Sequence, residues 1–190
     1  MLSIFRIFAF GTLFLTISAC QYNGDLLRST YFSLAYSKGD ALLAANGQAI
    51  KVNVVTKNNR IDLANNVVAS LNKHGPKWLN ASYRPLSNDI EDQSPYQMKW
   101  AFNVPENGNA LALCRKDHSN EIEVEAQKKT GVVLAAFCLH NRTLTSLRAR
   151  IHSEPGSDKF VQSIGLIGRK LLPTRNPERI GDCTSFDDCS

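Results

Sequence analysis

An α+β fold is predicted for this chain: a sheet of about four strands, antiparallel or mixed, with two helices packed on one face. Three features carry that expectation. Segments whose apolar residues alternate with period two are interleaved with segments whose apolar residues recur at helical spacing. Each helical stripe needs a surface to bury against, and one face of a sheet can receive both. Residues 20–190 suffice for one domain with its own core and are too few for two comfortable ones.

The elements follow in order. Ile50-Lys-Val52-Asn-Val54 alternates as a half-buried strand does. Asn58-Asn59 offers a helix cap, and Ile61, Ala64, Val67, Val68 and Leu71 then line one helical face. His74-Gly75-Pro76 stops that helix. Residues 76–95 are rich in Pro, Ser, Asn and Asp and read as a long loop, pinned down by Trp78, Leu79 and Tyr83. Tyr96 to Val104 is the clearest strand, with Tyr96, Met98, Trp100, Phe102 and Val104 all on one face, and Pro105-Glu-Asn-Gly108 ends it. Residues 111–126 carry no single pattern: Leu111-Ala-Leu-Cys114 is compatible with a strand, and Glu121 to Glu125 alternates only weakly. Gly131 to His140 and Thr143 to His152 form a hairpin around Asn141-Arg142. Ser157-Asp158 caps a last helix carrying Phe160, Ile164, Ile167 and Leu171, in which Gly165 and Gly168 leave room for close packing on a sheet. Pro173 ends it. The predicted order is strand, helix, strand, strand, strand, helix.

The amino terminus reads as an address. Arg6, the apolar run Ile7 to Ile17 and the small residues Ser18-Ala19 have the three-part layout of a secretory signal. A membrane span fails on length, since Ile7 to Ala19 would reach roughly 20 Å of a ~30 Å hydrocarbon core. Ile17-Ser18-Ala19-Cys20 resembles the lipobox of bacterial lipoproteins. That resemblance implies cleavage before Cys20, a diacylglycerol on its thiol and a further acyl chain, such as palmitate, on its amine. More than one chain holds a protein firmly to a membrane. In that resemblance Gln21, rather than an aspartate, implies the outer membrane, and a periplasm-facing domain is expected ahead of a surface-facing one. The expected organisation is a signal over 1–19, a lipidated cysteine and tether over 20–45, one α+β domain over 46–177 and a polar, disulfide-closed tail over 178–190.

With Cys20 lipidated, four of the five cysteines remain, and an even number in an oxidising compartment reads as two disulfides. Three pairings exist in principle. Cys183 and Cys189 close a short loop, which would leave Cys114 to pair with Cys138. His74, His118, His140 and His152 are scattered without metal-ligand spacing, so neither a metal nor a cofactor is expected. Charge is mildly basic, 22 Lys+Arg against 17 Asp+Glu, which suits anionic lipid headgroups or cell-wall polymers and is too scattered for nucleic acid.

Two further resemblances concern the body of the chain. Leu113-Cys114-Arg115, Leu134-Ala-Ala-Phe-Cys138 and Leu172-Pro173-Thr-Arg175-Asn-Pro177 resemble motifs of a group of uncharacterised small envelope lipoproteins, over roughly Ile50 to Pro177. The element order is similar to that of lipopolysaccharide-transport assembly lipoproteins, a likeness of architecture alone.

No catalytic constellation is legible. Val161-Gln-Ser163-Ile-Gly165 lacks the first glycine of a nucleophile elbow and falls inside a helix. Cys138 lies beside His140, but a disulfide with Cys114 removes its thiol. Glu91-Asp92 and Glu121-Glu123-Glu125 read as solvated loop acids, and Asp182, Asp187 and Asp188 lack the ligand ladder of a calcium loop. One surface stands out on the last strand: its alternation is that of a solvated sheet face, and the alternative is a face that binds. A two-residue turn at Asn141-Arg142 would put Phe137 and Leu139 beside Arg148, Arg150 and His152 on one sheet face, a mixture suited to an anionic partner. The chain is therefore expected to be a lipid-anchored, non-enzymatic binding or assembly module of the envelope. The alternative is a lipid- or glycan-binding module, and an enzyme without a local motif is the remotest reading. Its expected partners are the membrane and an envelope protein or an anionic lipid or glycan.

Overall fold

The computed structural model describes residues 26–46, 49–55, 61–86, 94–115 and 131–179. The amino-terminal signal, Cys20, Asn58-Asn59, Glu91-Asp92, His118, Glu121 to Glu125, and the tail with Cys183 and Cys189 lie outside them. The fold is α+β, and its six-stranded mixed sheet and three helices exceed the expected four and two. The six expected elements are present as β2 (Ile50–Val55), α2 (Ile61–His74), β4 (Tyr96–Val104), β5 (Gly131–Leu139), β6 (Arg142–Ile151) and α3 (Asp158–Leu171). The additions are β1 (Leu26–Phe32), α1 (Lys38–Ala45) and the short β3 (Tyr83–Pro85).

Residues 26–45 are therefore part of the domain rather than tether. Strand β1 pairs antiparallel with β6, from Leu26 opposite Arg150 to Phe32 opposite Thr145. Helix α1 starts at a cap made by its third residue: the Asp40 carboxylate accepts from the Ser37 N–H at 2.7 Å and its hydroxyl at 2.9 Å. Its Ala41 and Ala44 are buried.

Strand order is β1-β6-β5-β4-β2-β3. Strands β1, β6, β5 and β4 pair antiparallel, while β2 runs parallel to both its neighbours. The centre is β5, Gly-Val-Val-Leu-Ala-Ala-Phe-Cys-Leu, an apolar run buried on both faces. Only a strand covered on both sides can be apolar at every position.

On the first face Met98, Trp100, Phe102, Val133, Ala135, Phe137, Leu147 and Ala149 meet Leu63, Val67 and Leu71 of α2 and Phe160, Ile164, Ile167 and Leu171 of α3. Phe102 stacks on Trp100 at 6.4 Å and on Phe160 at 6.2 Å, so an aromatic column joins sheet to helix. Ile61 does not join the stripe; it is 75% exposed. Gly165 and Gly168 admit α2 rather than the sheet: a Cβ at Gly165 would stand 2.7 Å from the His74 carbonyl oxygen, and one at Gly168 2.5 Å from the Leu71 side chain.

The second face holds Ala101, Val104, Val132, Leu134, Ala136 and Cys138, covered by a 3-10 turn at Ala110–Cys114 through Leu113 and Cys114. The Cys114–Cys138 disulfide fastens that turn to β5. Val104 was expected beside Phe102 and lies on the opposite face. Asn103, at φ 56, forms a bulge between them, and one extra residue inverts every side chain beyond it. The described first part of the loop after α2, residues 76–86, is pinned as expected: Trp78 Nε1 donates to the Leu172 carbonyl at 3.1 Å, Leu79 is buried and Tyr83 enters β3.

Candidate binding surfaces along the first strand

Of the residues weighed for catalysis, Ser163 and Cys138 fall among those described, and Glu91-Asp92 and Glu121 to Glu125 do not. Ser163 sits within α3, and Cys138 is bonded to Cys114. Among the described residues no group of three or more His, Cys, Asp or Glu side chains could hold a metal ion.

The expected binding face divides in two. Phe137 pairs with Thr145, is fully buried, and packs on the helix side with Leu139 against its edge. Arg148 pairs with Leu134 and Arg150 with Val132, both on the second face. The cause is again a bulge: the pairing slips by one residue between Phe137 and Cys138, leaving Leu144 extra on β6. Sequence spacing alone had put Phe137, Leu139, Arg148 and Arg150 together, and they are on opposite sides of the sheet. His152 lies just past β6 and is exposed.

The two arginines are occupied. Arg148 donates to the Gly108 carbonyl, and Arg150 forms an ion pair with Glu106. Arg28 approaches the same Glu106 at 3.9 Å. With Glu106 55% exposed, the ion pairs themselves stabilise little, on the order of 0–1 kcal/mol. Arg148 is the firmer tie, a charged donor on a half-buried carbonyl. Together they hold residues 105–109 over the second face, and Thr143 Oγ1 adds a bond to the Leu111 carbonyl at 3.1 Å.

Two clefts flank β1. One, of about 440 Å³, lies towards the second face; Ser29, Tyr31, Asn107, Asn109, Ser146 and Arg148 make it polar, and Tyr31 is 43% exposed. The other, of about 470 Å³, lies between β1 and the chain leaving α3. Leu27, Phe32, Pro173 and Pro177 supply its apolar wall, and Lys170 and Arg175 stand at it from the carboxyl-terminal side.

The segment after α3 is fixed to β6 and to the turn after β1 by buried and half-buried hydrogen bonds. Thr145 Oγ1 donates to the Leu171 carbonyl at 2.6 Å and the Tyr36 hydroxyl to the Pro173 carbonyl at 2.7 Å. Asn176 Nδ2 donates to the carbonyls of Ser33 at 2.8 Å and Tyr36 at 3.1 Å, gripping the turn between β1 and α1. Burial, and then the Asp40 charge, push the Tyr36 phenol well above its ordinary value, which keeps it a donor. Leu172 to Pro177 is thus a strap that gives the second cleft a rigid wall.

Comparison with known proteins adds little. No family model matches the chain, and no curated protein matches it. Among solved structures it is similar to a chain of the PelC dodecamer from Paraburkholderia phytofirmans, at TM-score 0.40 and 12% identity, covering 80% of this chain and 98% of that one. A variant of the same protein in another crystal form gives TM-score 0.39 and 13% identity, covering 81% and 99%. At this level neither function nor assembly follows for this chain.

Sequence reasoning missed Leu27, Tyr31 and Phe32, which line the clefts, because the whole stretch before residue 46 read as tether. A signal was present in Thr30-Tyr31-Phe32, three consecutive strand-favouring residues, and in Ser37 with Asp40 three positions on.

Proposed function

We propose that this chain is a lipid-anchored protein of the bacterial outer membrane, attached through Cys20, whose domain binds or positions another envelope component and catalyses no reaction. The observation that favours this reading is how near β1 lies to Cys20 along the chain. Strand β1 opens at Leu26, leaving residues 21–25 between it and Cys20. Five residues extend to at most about 18 Å. An acylated Cys20 would therefore keep β1, and the clefts on its two sides, close to the bilayer surface. A domain so tethered is suited to meet a membrane component, and no helix among the described residues is long and apolar enough to cross a membrane itself.

Cys20→Ala tests the anchor. The acyl chains would supply nearly all the membrane affinity, so the variant should leave the membrane fraction after a high-salt wash. A variant that stays bound overturns the reading. The polar cleft favours a second reading, a module for a glycan fragment, since an exposed tyrosine among hydroxyls and amides suits a sugar ring. Tyr31→Ala should then abolish retention on immobilised envelope glycan without lowering the melting temperature, and unchanged retention would count against it.

A further inference from the structure

We infer that the cleft between β1 and the strap after α3 takes an anionic phospholipid, holding its phosphate and the first part of its chains. The inference goes beyond the anchoring proposed above and stands without it, because it rests on the cleft alone.

Three properties of the cleft point to that ligand. Its wall is apolar where Leu27, Phe32, Pro173 and Pro177 meet, so an ion alone would leave that surface in water. Among the described residues that line it the charges are of one sign, those of Arg28, Lys170 and Arg175. Lys170 and Arg175 stand at it from the strap side and Arg28 from β1, where it also approaches Glu106 at 3.9 Å. A phosphate offers several acceptor oxygens at once, which suits an ammonium on α3 and a guanidinium on the strap. A zwitterionic headgroup would bring its own ammonium towards them. Third, the cleft is preformed. The bonds from Tyr36, Thr145 and Asn176 fix the strap, so binding need not order it, and about 470 Å³ falls in the range of small-molecule sites, roughly 300–1,000 Å³. The cleft is open rather than enclosed, so longer acyl chains can remain in a bilayer while the phosphate is held.

The test uses the full chain carrying Cys20→Ser, so that no attached acyl chain competes. It is titrated with dihexanoyl phosphatidylglycerol, dihexanoyl phosphatidylcholine and inorganic phosphate, each lipid below its micelle concentration, with calorimetry as the readout. Saturable binding of the phosphatidylglycerol is expected, roughly tenfold or more tighter than of either other probe. Lys170→Glu with Arg175→Glu should weaken it by roughly tenfold or more, with the melting curve recorded alongside. If that pair impairs folding, Lys170→Glu alone, at an exposed position, should still weaken binding severalfold. Equal affinity for inorganic phosphate would reduce the cleft to a plain anion site, and equal affinity for the phosphatidylcholine to a plain apolar one. Either result overturns the inference, as does absent binding or binding that folded charge-reversed variants leave unchanged.

Discussion

Individual side chains set the local energetics, and several of their effects can be measured separately. The Cys114–Cys138 bridge spans 24 positions. Loop-closure entropy for a loop of that size gives about 3.5 kcal/mol, so Cys114→Ala with Cys138→Ala should lose about that much in a denaturant titration under oxidising conditions. Gly165→Ala sets two effects against each other. Alanine gains up to ~1 kcal/mol of helix propensity, but its Cβ would meet the His74 backbone, and overpacking costs about 1–3 kcal/mol. A lowered melting temperature is expected, and a raised one would mean α2 and α3 separate freely. Tyr36, Tyr83 and Tyr96 are all raised above their ordinary value of 10.0, chiefly by burial, with Asp40 also acting on Tyr36 and Tyr96. The folded state thus keeps protons that the unfolded chain releases. Their contribution is complete below pH 10.0 and is lost as pH rises from there through the folded values. Stability measured in denaturant should fall above about pH 10. The Cys114–Cys138 pairing was legible on the expectation that Cys20 is set apart, which leaves few options; the glycine contact was not, because composition does not say which neighbour approaches.

Elements were legible where their period was clean. Strands β2, β4, β5 and β6 and helices α2 and α3 all follow from apolar spacing, with ends within a few residues of those observed. What spacing could not supply was side. Bulges at Arg28, Asn103 and Leu144 each add one residue to a strand, and because side chains alternate with period two, each inverts the faces beyond it. Phe137 and Arg148 were separated in this way. A consequence can be tested on β6. Outward arginines on a solvated strand would tolerate reversal within about ±0.5 kcal/mol. Here Arg148 holds the Gly108 carbonyl and Arg150 holds Glu106. Arg148→Glu with Arg150→Glu should therefore cost about 2–3 kcal/mol, mostly from the bond to Gly108. Amide exchange over residues 105–109 should quicken with it. An unchanged melting curve would mean that loop is held by other contacts.

At the scale of the whole molecule, β1 completes the sheet on the side where the chain begins. It shields β6 and, with the strap at Leu172 to Pro177, forms the apolar cleft. Deleting residues 26–32 should leave a chain that fails to give a cooperative thermal transition, whereas removal of a tether would leave the domain intact. A cooperative melt from the shortened chain would show that β1 is dispensable. The sequence by itself determined the α+β class, six of the elements, the pairing of Cys114 with Cys138 and the helix stripes, because each follows from periodicity or counting within a short window. Tertiary structure decided the strand order, the faces and the two clefts. Those depend on residues far apart in the chain, as Tyr36 and Pro173 are at 137 positions, and on one-residue slips in register that only pairing between strands can reveal.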